Sequence, residues 1–180
     1  MVEIAAMAGF LIRALTAAAA LLGFLSAGSA WAECRDPDPD RLRDPIVENR
    51  TPFHLTVENV RSRTGNIVIT LYANDPARWL IEEGSLYIYT VPALAPTTEA
   101  CIILPGPAVY AFTAYHDSNR NRNLDQIAGK LPTEGVGGSR NPCTGLRRPR
   151  LDEVRMRVTR ADMETSIRLH YPPFISLLLC

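Results

Sequence analysis

The sequence predicts an all-β fold, an antiparallel β-sandwich of about seven strands. Short runs in which apolar and polar residues alternate recur along the chain, and each is bounded by turn residues. No long segment after the N-terminal region has the 3.6-residue apolar period of a helix. The 14 prolines and 11 glycines also suit a fold with many turns. Together these features favour two packed sheets over a helical or an α/β architecture.

The first predicted strand covers residues 53–60, where Phe53, Leu55 and Val57 alternate with polar residues. Turn chemistry at 63–66 separates it from a second strand at 67–72, so the two are predicted to form a hairpin. Asp75 and Pro76 predict a short helical turn whose Trp79 packs on the sheet. Further strands are predicted at 86–91, 101–104, 109–116, 154–158 and 166–171, with a last edge strand at 174–179.

Residues 1–32 are predicted to be a cleaved signal peptide. Arg13 precedes an apolar run over 14–25, and Ala30, Trp31 and Ala32 resemble a peptidase site. A membrane anchor is the alternative, but the apolar run is shorter than the roughly 20 residues of a span. A lipoprotein is disfavoured by the acidic residue before Cys34. The prediction is therefore a periplasmic or secreted protein without a membrane span after cleavage.

Two further segments are predicted after the signal peptide. Residues 33–52 carry Asp, Arg and Pro with little apolar periodicity, so they are predicted to be an extended N-terminal arm. Residues 53–180 are predicted to form one β-sandwich domain. Its length is sufficient for a single hydrophobic core.

Charge gives no argument for a nucleic-acid partner. The chain has 19 basic and 19 acidic residues and no net charge, whereas nucleic-acid binding requires a basic surface. The partner expected instead is an envelope component, a glycan or a small ligand. The four cysteines of an exported chain favour disulfides over metal thiolates, and no C-x-x-C pair is present. Three pairings are formally possible.

The loop after the strand at 109–116 offers side-chain oxygens at every second position, which is typical of a calcium loop or of consecutive Asx turns. Against calcium, the twelfth position is Ala128 rather than a bidentate acid, and Arg120 and Arg122 lie within the loop. No cofactor other than calcium is expected, and its affinity should be weak, on the order of 10⁻⁴ to 10⁻³ M. The candidate metal ligands are Asp117, Asn119, Asn121, Asn123 and Asp125.

A small enzyme is the alternative function, with a site around His116, Asp117 and Glu134. His116 and Asp117 are adjacent on one strand, so their side chains should point to opposite faces. Ser139 lacks the G-x-S-x-G context of a hydrolase nucleophile. An apolar pocket beside these residues would favour the enzyme, and a flat loop face would favour a binding module. The glycine-rich segment 135–138 lacks the lysine of a phosphate loop and is predicted to be a mobile turn.

The motifs resemble those of an exported bacterial family, domain of unknown function 2141. They are Leu71-Tyr72, Leu104-Pro105-Gly106, the block His116-Asp117-x-Asn119-x-Asn121-x-x-Leu124-Asp125, and Gly129-x-x-Pro132-x-Glu134-Gly135-x-Gly137-x-Ser139-x-Asn141-Pro142. The resemblance covers roughly residues 53–171. It implies a prealbumin-type or immunoglobulin-like sandwich and no particular activity.

The resemblance also bears on the cysteines and on one loop position. Relatives place one cysteine before the first strand and one before Leu-Pro-Gly, which implies a Cys34–Cys101 disulfide that ties down the arm. Cys143 and Cys180 then remain as a pair. Family members commonly have glycine where Arg122 stands, so a neighbouring Asn is expected to take the left-handed conformation, or the loop to differ in shape.

The function expected from the sequence is a non-catalytic binding or structural module that recognises its partner through loops 117–142.

Overall fold

The computed structural model describes residues 34–38, 50–128, 131–144 and 147–173. The predicted signal peptide, most of the predicted arm and the predicted strand at 174–179 lie outside the described residues. Within them the chain is mostly β-structure, and the prediction of an all-β sandwich is confirmed. None of the helices in these ranges has the length and apolar character required to span a bilayer.

Two sheets contain the longer strands. The strands are β1 (Thr51–Glu58), β2 (Asn66–Ala73), β3 (Ser85–Pro92), β4 (Thr97–Leu104), β5 (Ala108–Asp117), β6 (Gln126–Ile127), β7 (Leu131–Pro132), β8 (Val136–Gly138), β9 (Met156–Val158) and β10 (Met163–Arg168), and one short helix is α1 (Leu151–Val154). The first sheet has the order β10-β1-β4, and the second has the order β3-β2-β5-β8, with β9 also paired to β5. A separate two-stranded hairpin is formed by β6 and β7.

The core lies between the two sheets and follows from the alternation of the strands. Phe53, Leu55 and Val57 of β1 are fully buried, while the residues between them are half-buried. Phe53 stacks on Phe112 of β5 with ring centroids 5.0 Å apart. At about 25 cal/mol per Å² of apolar surface, such fully buried side chains each stabilise the fold by about 1.5–3 kcal/mol. The alternating pattern therefore fixes which face of each strand points inward.

The predicted hairpin between the first two strands is wrong. β1 pairs with β4 in antiparallel and with β10 in parallel register, whereas β2 pairs with β3 and β5. The connection between them crosses from one sheet to the other, and Val60 within it is buried and donates its N–H to Pro96. Both strands carry an apolar face, and packing these faces against each other buries more surface than edge pairing would.

The region before β9 also differs from the prediction. The predicted strand at 154–158 is shorter, because Leu151–Val154 form helix α1 and the strand begins at Met156. Leu151 and Val154 are buried against Ala111 and Tyr72 on the outer face of the five-stranded sheet. The predicted helical turn is present at Pro76–Arg78, and Asp75 caps it by accepting from the N–H of Ala77.

The glycine-rich segment is a strand rather than the predicted mobile turn. Val136–Gly138 pair with β5, and Val136 also exchanges hydrogen bonds with His170. A Cβ atom on Gly137 would lie 2.5 Å from the carbonyl oxygen of Arg168. Glycine is therefore required there because the backbones approach closely.

The N-terminal segment, residues 34–38, lies along the edge strands β4 and β3 of the two sheets. Cys34 and Cys101 form the predicted disulfide, with Cα atoms 4.3 Å apart. Arg35 exchanges backbone hydrogen bonds with β4, and Asp38 donates its N–H to Ile88 of β3. The segment thus covers edge groups of both sheets. Cys143 is also in a disulfide, and its predicted partner Cys180 lies outside the described residues.

Candidate functional site

The long loop after β5 is organised around the buried carboxylate of Asp117. Its Oδ1 accepts the N–H of Asn121 at 3.0 Å, and its Oδ2 accepts the N–H of Arg122 at 3.0 Å. The side chain is fully buried. Hydrogen bonds to a charged acceptor contribute about 1.5–3 kcal/mol each. Asp117 therefore holds the first turn of the loop closed through backbone contacts.

The other predicted metal ligands form a second cluster on the surface. The side-chain amides of Asn119 and Asn121 donate to the two carboxylate oxygens of Asp125, at 2.7 and 2.8 Å. Asn121 also accepts the N–H of Asn123. These are the Asx-type bonds that the spacing predicted as one of its two interpretations. The described residues contain no group of three or more His, Cys, Asp or Glu side chains placed to hold a metal.

At the position where relatives have glycine, the expectation that a neighbouring Asn takes the left-handed conformation is wrong. Arg122 itself adopts the left-handed conformation with φ 62°, and Arg120 does the same. The neighbouring Asn residues do not take it. The two bonds to Asp117 hold this turn, and they offset the cost of about 1–2 kcal/mol that a non-glycine residue incurs there.

Glu134 ties the far end of the loop back to its start. One carboxylate oxygen accepts the N–H of Ser118 at 2.9 Å, and the other accepts the N–H of Asp125 at 3.2 Å. The side chain is buried. The carboxylate of Glu134 therefore links Ser118 to Asp125 within the loop.

His116 is held on the inner face of β5 by both ring nitrogens. Nε2 lies 2.7 Å from the carbonyl oxygen of Thr64, so it carries the proton and donates. In the neutral ring Nδ1 then accepts from the hydroxyl of Tyr171, also at 2.7 Å. Burial raises the pKa of Tyr171, which keeps that hydroxyl protonated. His116 is buried and fully hydrogen-bonded.

The residues of the alternative catalytic site are thus all buried and all engaged in internal hydrogen bonds. His116 points toward Thr64 and Tyr171, whereas Asp117 and Glu134 face the loop. Ser139 is fully buried as well, and its hydroxyl bonds to Phe112 and Val154. These contacts fit structural roles better than catalytic ones, because the side chains are buried and their polar atoms are already hydrogen-bonded within the protein.

An open groove of about 530 Å³ lies instead across the outer face of the five-stranded sheet. Its floor contains a row of paired residues that runs across four strands: Ile88, Thr70, Thr113 and Gly138. Tyr72 and Tyr115, neighbours of this row along their strands, also line the groove. The row leaves space above the sheet, because three of its four residues (Thr70, Thr113 and Gly138) are small.

Loops from both ends of the sheet form the walls. Leu80 and Ile81, which lie in the connection between β2 and β3, stand at one end together with Pro142, Thr144 and Pro149. The long loop and the β6–β7 hairpin stand at the other and contribute Leu124, Leu131 and Pro132. Ile81 and Leu131 are about half exposed. Each wall therefore presents an apolar side chain at its rim.

The charged side chains among the described lining residues of the groove are all basic. Arg122, Arg147, Arg148 and Arg168 line it, and none of the described lining residues is Asp or Glu. His170 lines it too, and burial together with the neighbouring Arg168 lowers its pKa, so its imidazole is neutral at pH 7.

Sequence reasoning did not identify this groove. Its floor residues lie on different strands, and only their register brings them together. The segment Gly135-Val136-Gly137-Gly138 was a visible signal, because small residues in a strand leave space on the sheet surface. The predicted loops 117–142 do contribute one wall.

A family model matches residues 55–166 of the chain. The family is described as an uncharacterized protein conserved in bacteria (DUF2141). The match covers well over half of the chain, from β1 to β10. The chain belongs to this family.

Membership in the DUF2141 family confirms the resemblance drawn from the loop motifs. The matched region includes the groove floor and most of its walls. Comparison with curated proteins gives no match, and neither does comparison with solved structures.

Proposed function

We propose that this protein is an exported, non-catalytic binding module that holds a small ligand in the groove on the outer face of its five-stranded sheet. The groove itself carries the proposal. Its volume of about 530 Å³ lies within the range of about 300–1,000 Å³ that is usual for small-molecule sites. Loops raised on a rigid sheet form its walls, which is a common arrangement for recognition.

The lining favours binding over catalysis. Hydroxyl, amide and guanidinium groups surround apolar side chains, but no carboxylate of the described residues faces the groove. The residues of the alternative enzyme site lie elsewhere and are buried. General acid–base chemistry needs groups within hydrogen-bond reach of a substrate, and the buried groups offer none.

Export is supported by the features of residues 1–32 and by the disulfides. Disulfide-bonded cysteines are typical of oxidising compartments such as the periplasm. Cell fractionation followed by N-terminal sequencing tests this part. A mature chain that begins at Glu33 supports it, and a cytoplasmic chain that retains residues 1–32 contradicts it.

Groove binding is tested with N-phenyl-1-naphthylamine, a neutral dye that fluoresces in apolar sites. We expect saturable binding to the wild type and loss of at least tenfold in affinity in Ile88→Trp, which fills the floor. Leu94→Trp is the matched control, because Leu94 is 52% exposed and does not line the groove. Unsaturable binding, or equal affinity in both variants, would contradict the proposal.

Calcium binding by the long loop stays a separate prediction. Asp125 is partly buried, and its carboxylate accepts from the side-chain amides of Asn119 and Asn121. A calcium-dependent rise in melting temperature that is lost in Asp125→Ala would support it. Identical melting curves in chelator and in millimolar calcium would contradict it.

A further inference from the structure

We infer that the groove selects an anionic ligand, a small organic acid whose charged group meets the arginines of the wall while its apolar body lies on the sheet. This inference rests on the proposed function, because it presupposes that the groove binds a ligand. It adds the chemical class, which the volume and apolar lining alone do not give.

The charge pattern of the lining carries the inference. Four arginines contribute to the groove, and no described lining residue is acidic. The chain as a whole is neutral, so this is a local separation of charge. A concave surface lined by one sign of charge concentrates its field and attracts the opposite sign.

The arginines differ in how far they are already engaged. Arg147 is bound to Glu153 through both terminal nitrogens, and Arg122 lies 3.9 Å from Asp38. Arg168 uses Nη2 to bind Glu58 at 2.9 Å, and its side chain remains 60% exposed. Arg148 is exposed and makes no ion pair with another described residue. Arg148 and Arg168 are therefore the anchors best able to bind a ligand anion.

Guanidinium chemistry fits a carboxylate, sulfonate or phosphate. A guanidinium has five N–H donors in a planar arrangement that matches such groups, so Arg168 retains further donors beside its contact with Glu58. The acidic partners Glu58, Glu153 and Asp38 do not line the groove. An incoming anion therefore approaches the basic side chains without meeting a like charge in the described lining.

The apolar component of the ligand follows from the floor and walls. Ile88, Leu80 and Leu124 line the groove beside the two tyrosines, and Ile81 and Leu131 are partly exposed on its rim. Burying their surface stabilises a complex by roughly 25 cal/mol per Å² before the cost of association. A purely ionic ligand such as inorganic phosphate would leave this surface exposed.

Two dyes of matched shape test the inference. 8-Anilinonaphthalene-1-sulfonate has the skeleton of N-phenyl-1-naphthylamine with a sulfonate added, so their affinities differ mainly through the charge. We expect the sulfonate to bind about tenfold more tightly to the wild type, from one charge-assisted contact. That preference should fall to about twofold or less in Arg148→Gln/Arg168→Gln and shrink as salt is added.

The control is Arg157→Gln/Arg160→Gln, which removes two exposed arginines that do not line the groove. It should retain the preference. Equal binding of the two dyes to the wild type would overturn the inference while leaving the groove proposal intact. A preference that survives in the groove variant, or falls equally in the control, would also overturn it. Failure of both dyes to bind would instead overturn the proposed function.

Discussion

At the scale of single residues, Asp117 has the clearest structural role in the long loop. It is fully buried and accepts the backbone N–H groups of Asn121 and Arg122. Replacing it with alanine would remove both of these hydrogen bonds to a carboxylate, which close the first turn of the loop. We expect Asp117→Ala to lower the free energy of unfolding by about 2–3 kcal/mol, measured by urea denaturation in chelator.

Asp125→Ala is the matched comparison, because its carboxylate accepts two amide N–H groups at the surface. We expect a loss of about 1 kcal/mol or less, since water can replace those bonds. If Asp125→Ala were the more destabilising change in chelator, the inference that the buried carboxylate of Asp117 contributes more stability than that of Asp125 would be wrong.

A second residue-scale prediction concerns Gly135. A Cβ atom there would lie 2.3 Å from the ring of Tyr171, which also binds His116. We expect Gly135→Ala to destabilise the protein by about 1–3 kcal/mol through overpacking. In the Tyr171→Ala background the same change should cost much less, because the clash is gone. A thermodynamic cycle of the four proteins measures this difference, and strict additivity would refute the contact.

At the scale of elements, the N-terminal segment and its disulfide cover the open side of the sandwich. Cys34 and Cys101 close a loop with a sequence separation of 67 residues, worth about 4 kcal/mol in the chain-entropy model. We expect Cys34→Ser/Cys101→Ser to lose about that much stability. Amide exchange should also rise for Ile103 and Asp38, whose N–H groups bond across this edge. Exchange that is unchanged at both sites would show that the segment stays docked without the disulfide.

Strand β8 was not predicted, because its formation depends on neighbouring strands rather than on its own sequence. Gly137 and Gly138 have low strand propensity, so the segment 135–138 was predicted to be a turn. It is a strand because β5 offers it a free edge and because glycine alone fits against Arg168. Both reasons are tertiary and cannot be read from local pattern.

At the scale of the whole molecule, the sequence predicted the sandwich because alternation such as Phe53, Leu55 and Val57 reports directly which face is buried. The sequence pattern did not predict correctly which strands pair, since β1 and β2 are equally suited to pair with each other or to pack face to face. The loop motif was recognised, but its role was left open between a metal site and a set of turns. The groove was not predicted, because it depends on the pairing of Thr70 with Ile88 and with Thr113 on neighbouring strands.

The central claim is that ligands bind on the outer face of the five-stranded sheet. Backbone amide chemical shifts of the ¹⁵N-labelled protein, titrated with N-phenyl-1-naphthylamine, test it most directly. We expect the largest changes to fall on Thr70, Thr113, Tyr115 and Gly138, which line the groove. Changes centred on His116, Asp117 and Glu134, with the groove residues unaffected, would contradict it.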